Sequence, residues 1–335
     1  MLPVMKLNTF VLFASVALCA CRPTTPNLRS PNMNQRRSPS PSPTLDLRRT
    51  GVLDSFMTFR ETGNGPDIVF LHGNPLSSYV WRRVLPKVAP RGRCLAPDLI
   101  GMGDSGKPDI GYRFSDHARY LDAWFEALGL RDVVLVGYDW GGVLAMDWAA
   151  RHPERTRGLV LFETFMRPMQ WSEWSPKGAE LFRNLRTPGV GETLAIEANQ
   201  LLDRSLKNGI ARGVSEDDRA IYEAPYAQPA ARRPLLQWTR EIPIEGQPAD
   251  MVAVFARFDT WLAASPGVPK LLLRFDSPSG LQPSPTGSTA MIEWARAHVA
   301  GIEISALGNA GHHAPEDRPG EIADAISSFL TRHSL

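Results

Sequence analysis

Cysteine is scarce in this chain: there are three in 335 residues, and only Cys94 lies beyond position 21. A single thiol cannot build an intrachain disulfide framework, so the folded part must hold itself together by burial. Cys94 sits in RCLAPDL, a predicted strand, where a thiol behaves as a small buried hydrophobe. An excess of one charge is missing too. Lys and Arg number 37 against 35 Asp and Glu, a formal net charge of +2, and the signs are interspersed. Without a basic stripe, zinc-finger spacing or an RNP-like motif there is no case for nucleic acid as a partner, and a small neutral substrate is the expectation. No internal repeat is evident.

What is present begins with a segment foreign to a globular fold. Lys6 is followed by the eleven-residue apolar run Phe10 to Ala20, which has the length of an export leader and is too short to span a membrane. Leu18, Cys19, Ala20 and Cys21 resemble a bacterial lipobox, which would make Cys21 the lipidated first residue of an exported, envelope-anchored or periplasmic chain. Without a functional leader the protein would stay in the cytoplasm. Residues 22–50 are rich in Pro, Ser and Arg and lack hydrophobic periodicity, the composition of a disordered tether.

The remainder can bury a large core, since 43% of the chain is hydrophobic. Short apolar runs recur: FMTFRE, PDIVFLHG, RCLAPDL, DVVLVGYD, GLVLFET, VPKLLLRF and IEISALG, with helical patterns such as SDHARYLDAWFEAL between several of them. Continuous rather than alternating apolar strands, separated by helices, predict an α/β fold with a mostly parallel sheet covered on both faces. Residues 168–250 break this rhythm with helix-like pieces punctuated by Pro and Gly. They read as a helical cap inserted between core segments 51–167 and 251–335, enclosing an apolar pocket.

VVLVGYDWGG (133–142) is the richest stretch. A strand ends in small-X-Asp-X-small, with Gly137 and Gly141 on either side of Asp139, and a helical pattern follows. This is the form of a nucleophile elbow, in which a strained turn presents the central side chain. A serine there would make acyl esters, whereas a carboxylate attacks a saturated carbon bearing a leaving group, which leaves carbon–halogen and epoxide substrates open. The competing role for Asp139 is an N-cap on the following helix. Four further groups fall at predicted strand ends, where open α/β sheets place their sites. Asn74 in LHGNP offers an amide donor or a simple turn. Trp140 offers an indole N–H suited to a departing anion, or core packing. Glu163 ends GLVLFET, with Asp276 after LLLRF as a rival acid. His312 and His313 in LGNAGHHAPED are adjacent candidates for a general base, in the order nucleophile, acid, histidine. His72 and His117 read as loop and helix residues.

From about residue 52 onward the chain resembles the haloalkane dehalogenases of the α/β-hydrolase superfamily. The resemblance rests on LHGNPLSSYVWRRVLP, APDLIGMGDSGKPD, HARYLDAWFEALGL, VVLVGYDWGG, FMRPMQWSEW, EIPIEGQPAD and the cap signature YEAPY. It implies Asp139 as nucleophile, Glu163 as the acid of the subfamily that takes it from the sixth strand, and His312 as base. It implies Asn74 and Trp140 as halide-binding and oxyanion-hole donors. The implied reaction converts a halogenated aliphatic substrate and water to a primary alcohol, halide and a proton, with no cofactor or metal. The chain departs from the pattern around the base, at Ala310, Gly311, His313, Ala314 and Pro315, and in FDSPSGLQPSPTGS, which carries Asp276. Two other activities use the same elbow. Epoxide hydrolases need two cap tyrosines, for which Tyr222 and Tyr226 are candidates, and coelenterazine-using luciferases share the Asp, Glu, His and Asn-Trp set.

Overall fold

The segment VVLVGY is buried at every position, so its strand must be covered on both faces, and the sheet around it is built accordingly. A computed structural model of the chain describes residues 45–277 and 284–335. The leader, the lipidation expected at Cys21 and the tether through residue 44 lie outside the described residues. The strands are β1 (Asp46–Val52), β2 (Ser55–Thr62), β3 (Asp67–Leu71), β4 (Arg93–Pro97), β5 (Val133–Tyr138), β6 (Thr156–Phe162), β7 (Lys270–Asp276) and β8 (Ile302–Asn309). They form one sheet in the order β1-β2-β4-β3-β5-β6-β7-β8. β2 is antiparallel to both of its neighbours, and every other pairing is parallel.

β1 corrects the expected tether. Residues 46–50 were assigned to a disordered segment, yet they pair with β2 in register from Asp46 opposite Glu61 to Val52 opposite Ser55. Arg48 and Arg49 are exposed on this edge strand. An edge exposed on both faces has no hydrophobic alternation to read, and its charges discourage pairing with other chains.

The connections up to β6 supply α1 (Leu85–Val88), α2 (Phe114–Ala127) and α3 (Trp140–Arg151). Between β6 and β7 come α4 (Pro176–Arg186), α5 (Gln200–Asn208), α6 (Glu216–Glu223), α7 (Arg233–Glu241) and α8 (Ala249–Ala264), and α9 (Thr289–His298), α10 (Ala314–Asp317) and α11 (Pro319–Arg332) follow. α1 packs on α11, while α3 packs on α2 and α8, and α8 on α9, so two separate helical rows cover the sheet. α4 to α7 fall within the interval read as a cap. The two ends of that interval are tied together where the Met169 N–H donates to the Pro243 carbonyl at 2.8 Å and the Glu245 N–H donates to the Met169 carbonyl at 2.9 Å. β3 lies between β4 and β5, so the chain reverses its direction of travel across the sheet there. The crevice at such a switch point, beyond the carboxyl ends of the strands, is where this sheet type binds ligands. Among the described residues no helix is long and apolar enough to cross a membrane.

Candidate active site

Asp139 joins β5 to α3 with φ 50° and ψ −131°, a strained region for a residue with a side chain. Close packing makes the conformation possible. A Cβ on Gly137 would lie 2.5 Å from the Gly141 oxygen, and one on Gly141 would collide with the Leu71 carbonyl. The Asp139 N–H donates to the Glu163 carbonyl at 2.9 Å, and the Asp139 carbonyl accepts from Thr164 Oγ1 at 2.7 Å. Helix capping is not the side chain's task, because the carboxylate makes no cap bond to α3. Its Oδ1 instead accepts the Asn74 backbone N–H at 2.7 Å, and its Oδ2 lies 3.5 Å from His312 Nε2.

Glu163 occupies the equivalent place one strand over, directly after β6, and it also has a positive φ, 45°. Its Oε2 is 3.1 Å from His312 Nδ1 and accepts from Thr286 Oγ1 at 3.2 Å. His312 therefore bridges two buried carboxylates. Burial alone would strip its proton, but the hydrogen bonds and charges of Asp139 and Glu163 outweigh that and push its pKa up to about 10. Both carboxylates thus favour the cationic form of the imidazole.

His313 is treated oppositely. It is fully buried, and desolvation together with the neighbouring His312 holds its pKa well below the usual imidazole range. Its Nδ1 is 3.3 Å from the Tyr138 hydroxyl and its Nε2 2.6 Å from Ser205 Oγ on α5, so a neutral ring links strand to cap. Asp276, the rival acid, is half-exposed and paired with Arg274. Of the histidines read as loop and helix residues, His72 donates from Nδ1 to the Gly73 carbonyl at 2.9 Å and accepts the Leu99 N–H at 3.0 Å through Nε2. His117 stacks on Trp238 with ring centroids 4.1 Å apart.

Asn74 and Trp140 both line a cavity of about 270 Å³, together with Asp139 and His312. The Asn74 side-chain amide donates one N–H to the Leu235 carbonyl of α7 at 3.1 Å, which leaves its second N–H without a partner among the described residues. Trp140 stacks on Trp238 at 4.5 Å. The walls are apolar, with Phe165, Leu181, Phe182 and Ile242 among them, and α5 contributes Arg204 and Asn208. Among the described residues no group of three His, Cys, Asp or Glu side chains is placed to hold a metal ion.

The tyrosines weighed for epoxide chemistry do not line this cavity. The Tyr222 hydroxyl donates to Glu316 Oε1 at 2.5 Å, and Tyr226 is buried beneath Lys107. Glu316 is a hub that sequence reasoning missed. It pairs with Arg82 in a short contact, with Arg83 at 3.2 Å and with Arg212 at 3.0 Å. Asp317 accepts the backbone N–H groups of Gly311, Ala211 and Arg212 at 2.7 to 2.9 Å. These contacts hold the loop that carries His312, whose ring lies within 3.5 Å of both carboxylates. Ser284, with Oγ 3.5 Å from His312 Nδ1, and Thr286 were missed as well. Polar residues in a proline-rich segment carry no periodic signal.

Comparison with known proteins identifies relatives of the chain. The alpha/beta hydrolase fold family matches residues 66–208. A haloalkane dehalogenase of Mesorhizobium japonicum is 45% identical over 300 residues, covering 87% of this chain and 94% of that protein. One from Bradyrhizobium diazoefficiens is 41% identical over 303 residues, covering 85% and 94%. Among solved structures, haloalkane dehalogenase DbeA from Bradyrhizobium elkani superposes with a TM-score of 0.82 at 42% identity, covering 87% of this chain and 99% of that one.

Proposed function

Since the chain belongs to the haloalkane dehalogenase family and is an enzyme that hydrolyses carbon–halogen bonds, we propose that it does so in two steps through an ester on Asp139. The observation that carries this reading is the Asp139 carboxylate, held by the Asn74 N–H at 2.7 Å, facing an apolar cavity and backed by His312 at 3.5 Å. In the first step a carboxylate oxygen displaces halide from an sp3 carbon. The free N–H of the Asn74 amide and the Trp140 indole N–H receive the departing anion. Donors already aimed at developing charge in a dry cavity need no reorganisation at that moment.

Esterification removes the negative charge of Asp139, and with it one of the two anions that keep His312 protonated. The imidazole can then release its proton and act as general base on water. Water attacks the ester carbonyl, and its oxygen is received by the backbone N–H groups of Asn74 and Trp140. Glu163 retains Nδ1–H of His312 and orients the ring. The sum is R–X plus water giving R–OH, X⁻ and one proton. Neither cap tyrosine lines the cavity to protonate an epoxide oxygen, and the curated relatives are dehalogenases rather than luciferases.

The test is to replace His312 by Phe, add a brominated alkane and weigh the protein. The expected result is a mass gain of one alkyl group mapped to Asp139. Halide release without an adduct, or an adduct elsewhere, would rule the scheme out.

A further inference from the structure

Two polar residues that line the cavity have no part in these two steps. α5 buries Leu202 and Leu206 and turns Arg204 and Asn208, one helical turn apart, into the space that holds Asp139 and His312. Other arginines of the cap interval have partners in the protein: Arg212, Arg219 and Arg240 pair with carboxylates, Arg186 and Arg232 donate to backbone carbonyls, and Arg183 lies over the Trp171 ring. Arg204 forms no ion pair among the described residues, although Glu180 lines the adjoining recess and Asp203 precedes it in sequence. The same cavity has apolar walls that include Phe165, Phe182 and Ile242. It thus combines two sets of donors for an anion, a sheltered one at Asn74 and Trp140 and an exposed one at Arg204 and Asn208.

We propose that Arg204 and Asn208 form a subsite for a carboxylate carried at the far end of the substrate, so that the preferred substrates are ω-haloalkanoates. The assignment rests on the dehalogenation reading of Asp139. A guanidinium matches a planar carboxylate through two parallel N–H bonds. Arg204 is exposed, so a carboxylate beside it keeps part of its hydration while the halogen-bearing carbon enters the dry end. The covalent step is unaltered. An Asp139 oxygen bonds the terminal carbon as the C–Br bond breaks, bromide leaves with the bonding pair, and water then cleaves the ester to give the ω-hydroxyalkanoate and a proton.

Bromide release by the full chain from 6-bromohexanoate and from 1-bromohexane, whose methyl end replaces the carboxylate, decides the matter. Arg204→Gln is expected to lower the ratio of the two kcat/KM values about fivefold, the reach of one exposed ion pair, with the loss falling on KM. Arg204→Lys keeps the charge and most of the ratio, and added salt shrinks the wild-type ratio. An equal change with both substrates in Arg204→Gln overturns the subsite and points to a role in halide exit or folding. Wild-type turnover of 1-bromohexane without turnover of 6-bromohexanoate also overturns it. No bromide from either substrate overturns the dehalogenation reading beneath it.

Discussion

The two carboxylates of the site and the histidine between them are held by different kinds of structure. Asp139 and Glu163 follow neighbouring parallel strands, share positive φ and are bonded backbone to backbone at 2.9 Å. Their positions come from strand register and from glycines too crowded for a Cβ. His312 sits on a loop beyond β8 fastened by side chains from afar: Arg82 and Arg83 before α1, Tyr222 on α6 and Arg212 from the cap, all through Glu316. Local stereochemistry places Asp139, and long-range ionic contacts place His312. Damage to the second set should therefore spare the first half-reaction and slow the second.

That division can be broken by experiment. The largest effect is expected from Gly141→Ala, whose Cβ meets the Leu71 carbonyl. A displacement near 1 Å at a reacting group costs roughly 100-fold in rate, so bromide release should fall at least that far. Normal turnover would mean the elbow is not fixed by backbone crowding. Glu316→Gln comes next, because it removes the buried charge shared by Arg82, Arg83 and Arg212 and leaves Arg82 only its pairing with Asp218 at 2.8 Å. Urea unfolding should show a loss of roughly 3 kcal/mol. Rapid-mixing measurements should show the halide burst preserved and ester hydrolysis slowed, and equal slowing of both would erase the contrast. His313→Phe removes the contacts to Tyr138 and Ser205 and should cost about 1 kcal/mol in the same unfolding assay. Asp276→Asn should change stability by no more than about 0.5 kcal/mol, as for other surface substitutions. A tenfold loss of bromide release in that variant would move the orienting acid from β6 to β7.

The same contrast explains what could be read from the chain. The buried strands were legible because a parallel sheet needs contiguous apolar runs, and the elbow because two small residues must flank the strained Asp139. β1 was not, since an edge strand carrying Arg48 and Arg49 outward has the composition of a linker. The choice of His312 over His313, and of Glu163 over Asp276, could not be made from spacing alone. It depends on which side chain the folded loop turns inward. The Glu316 hub was hidden for the same reason: its partners lie 94 to 234 positions away along the chain.

Residues 312 and 313 carry identical side chains with opposite affinities for hydrogen ions. Unfolding erases that difference, returning both imidazoles to an ordinary value near 6.5. Below that value the unfolded chain gains a proton at His313 that the folded one refuses, so this residue's contribution to stability is full above about 6.5 and drains away as pH falls. Above it the unfolded chain gives up the proton that folded His312 keeps, so that contribution is full below about 6.5 and is lost as pH rises toward about 10. For this dipeptide, unfolding consumes acid on one side of neutrality and liberates it on the other. Calorimetric unfolding in buffers of differing ionisation enthalpy should show the proton count contributed by these two rings change sign near pH 6.5, and substituting either one should abolish its own branch alone.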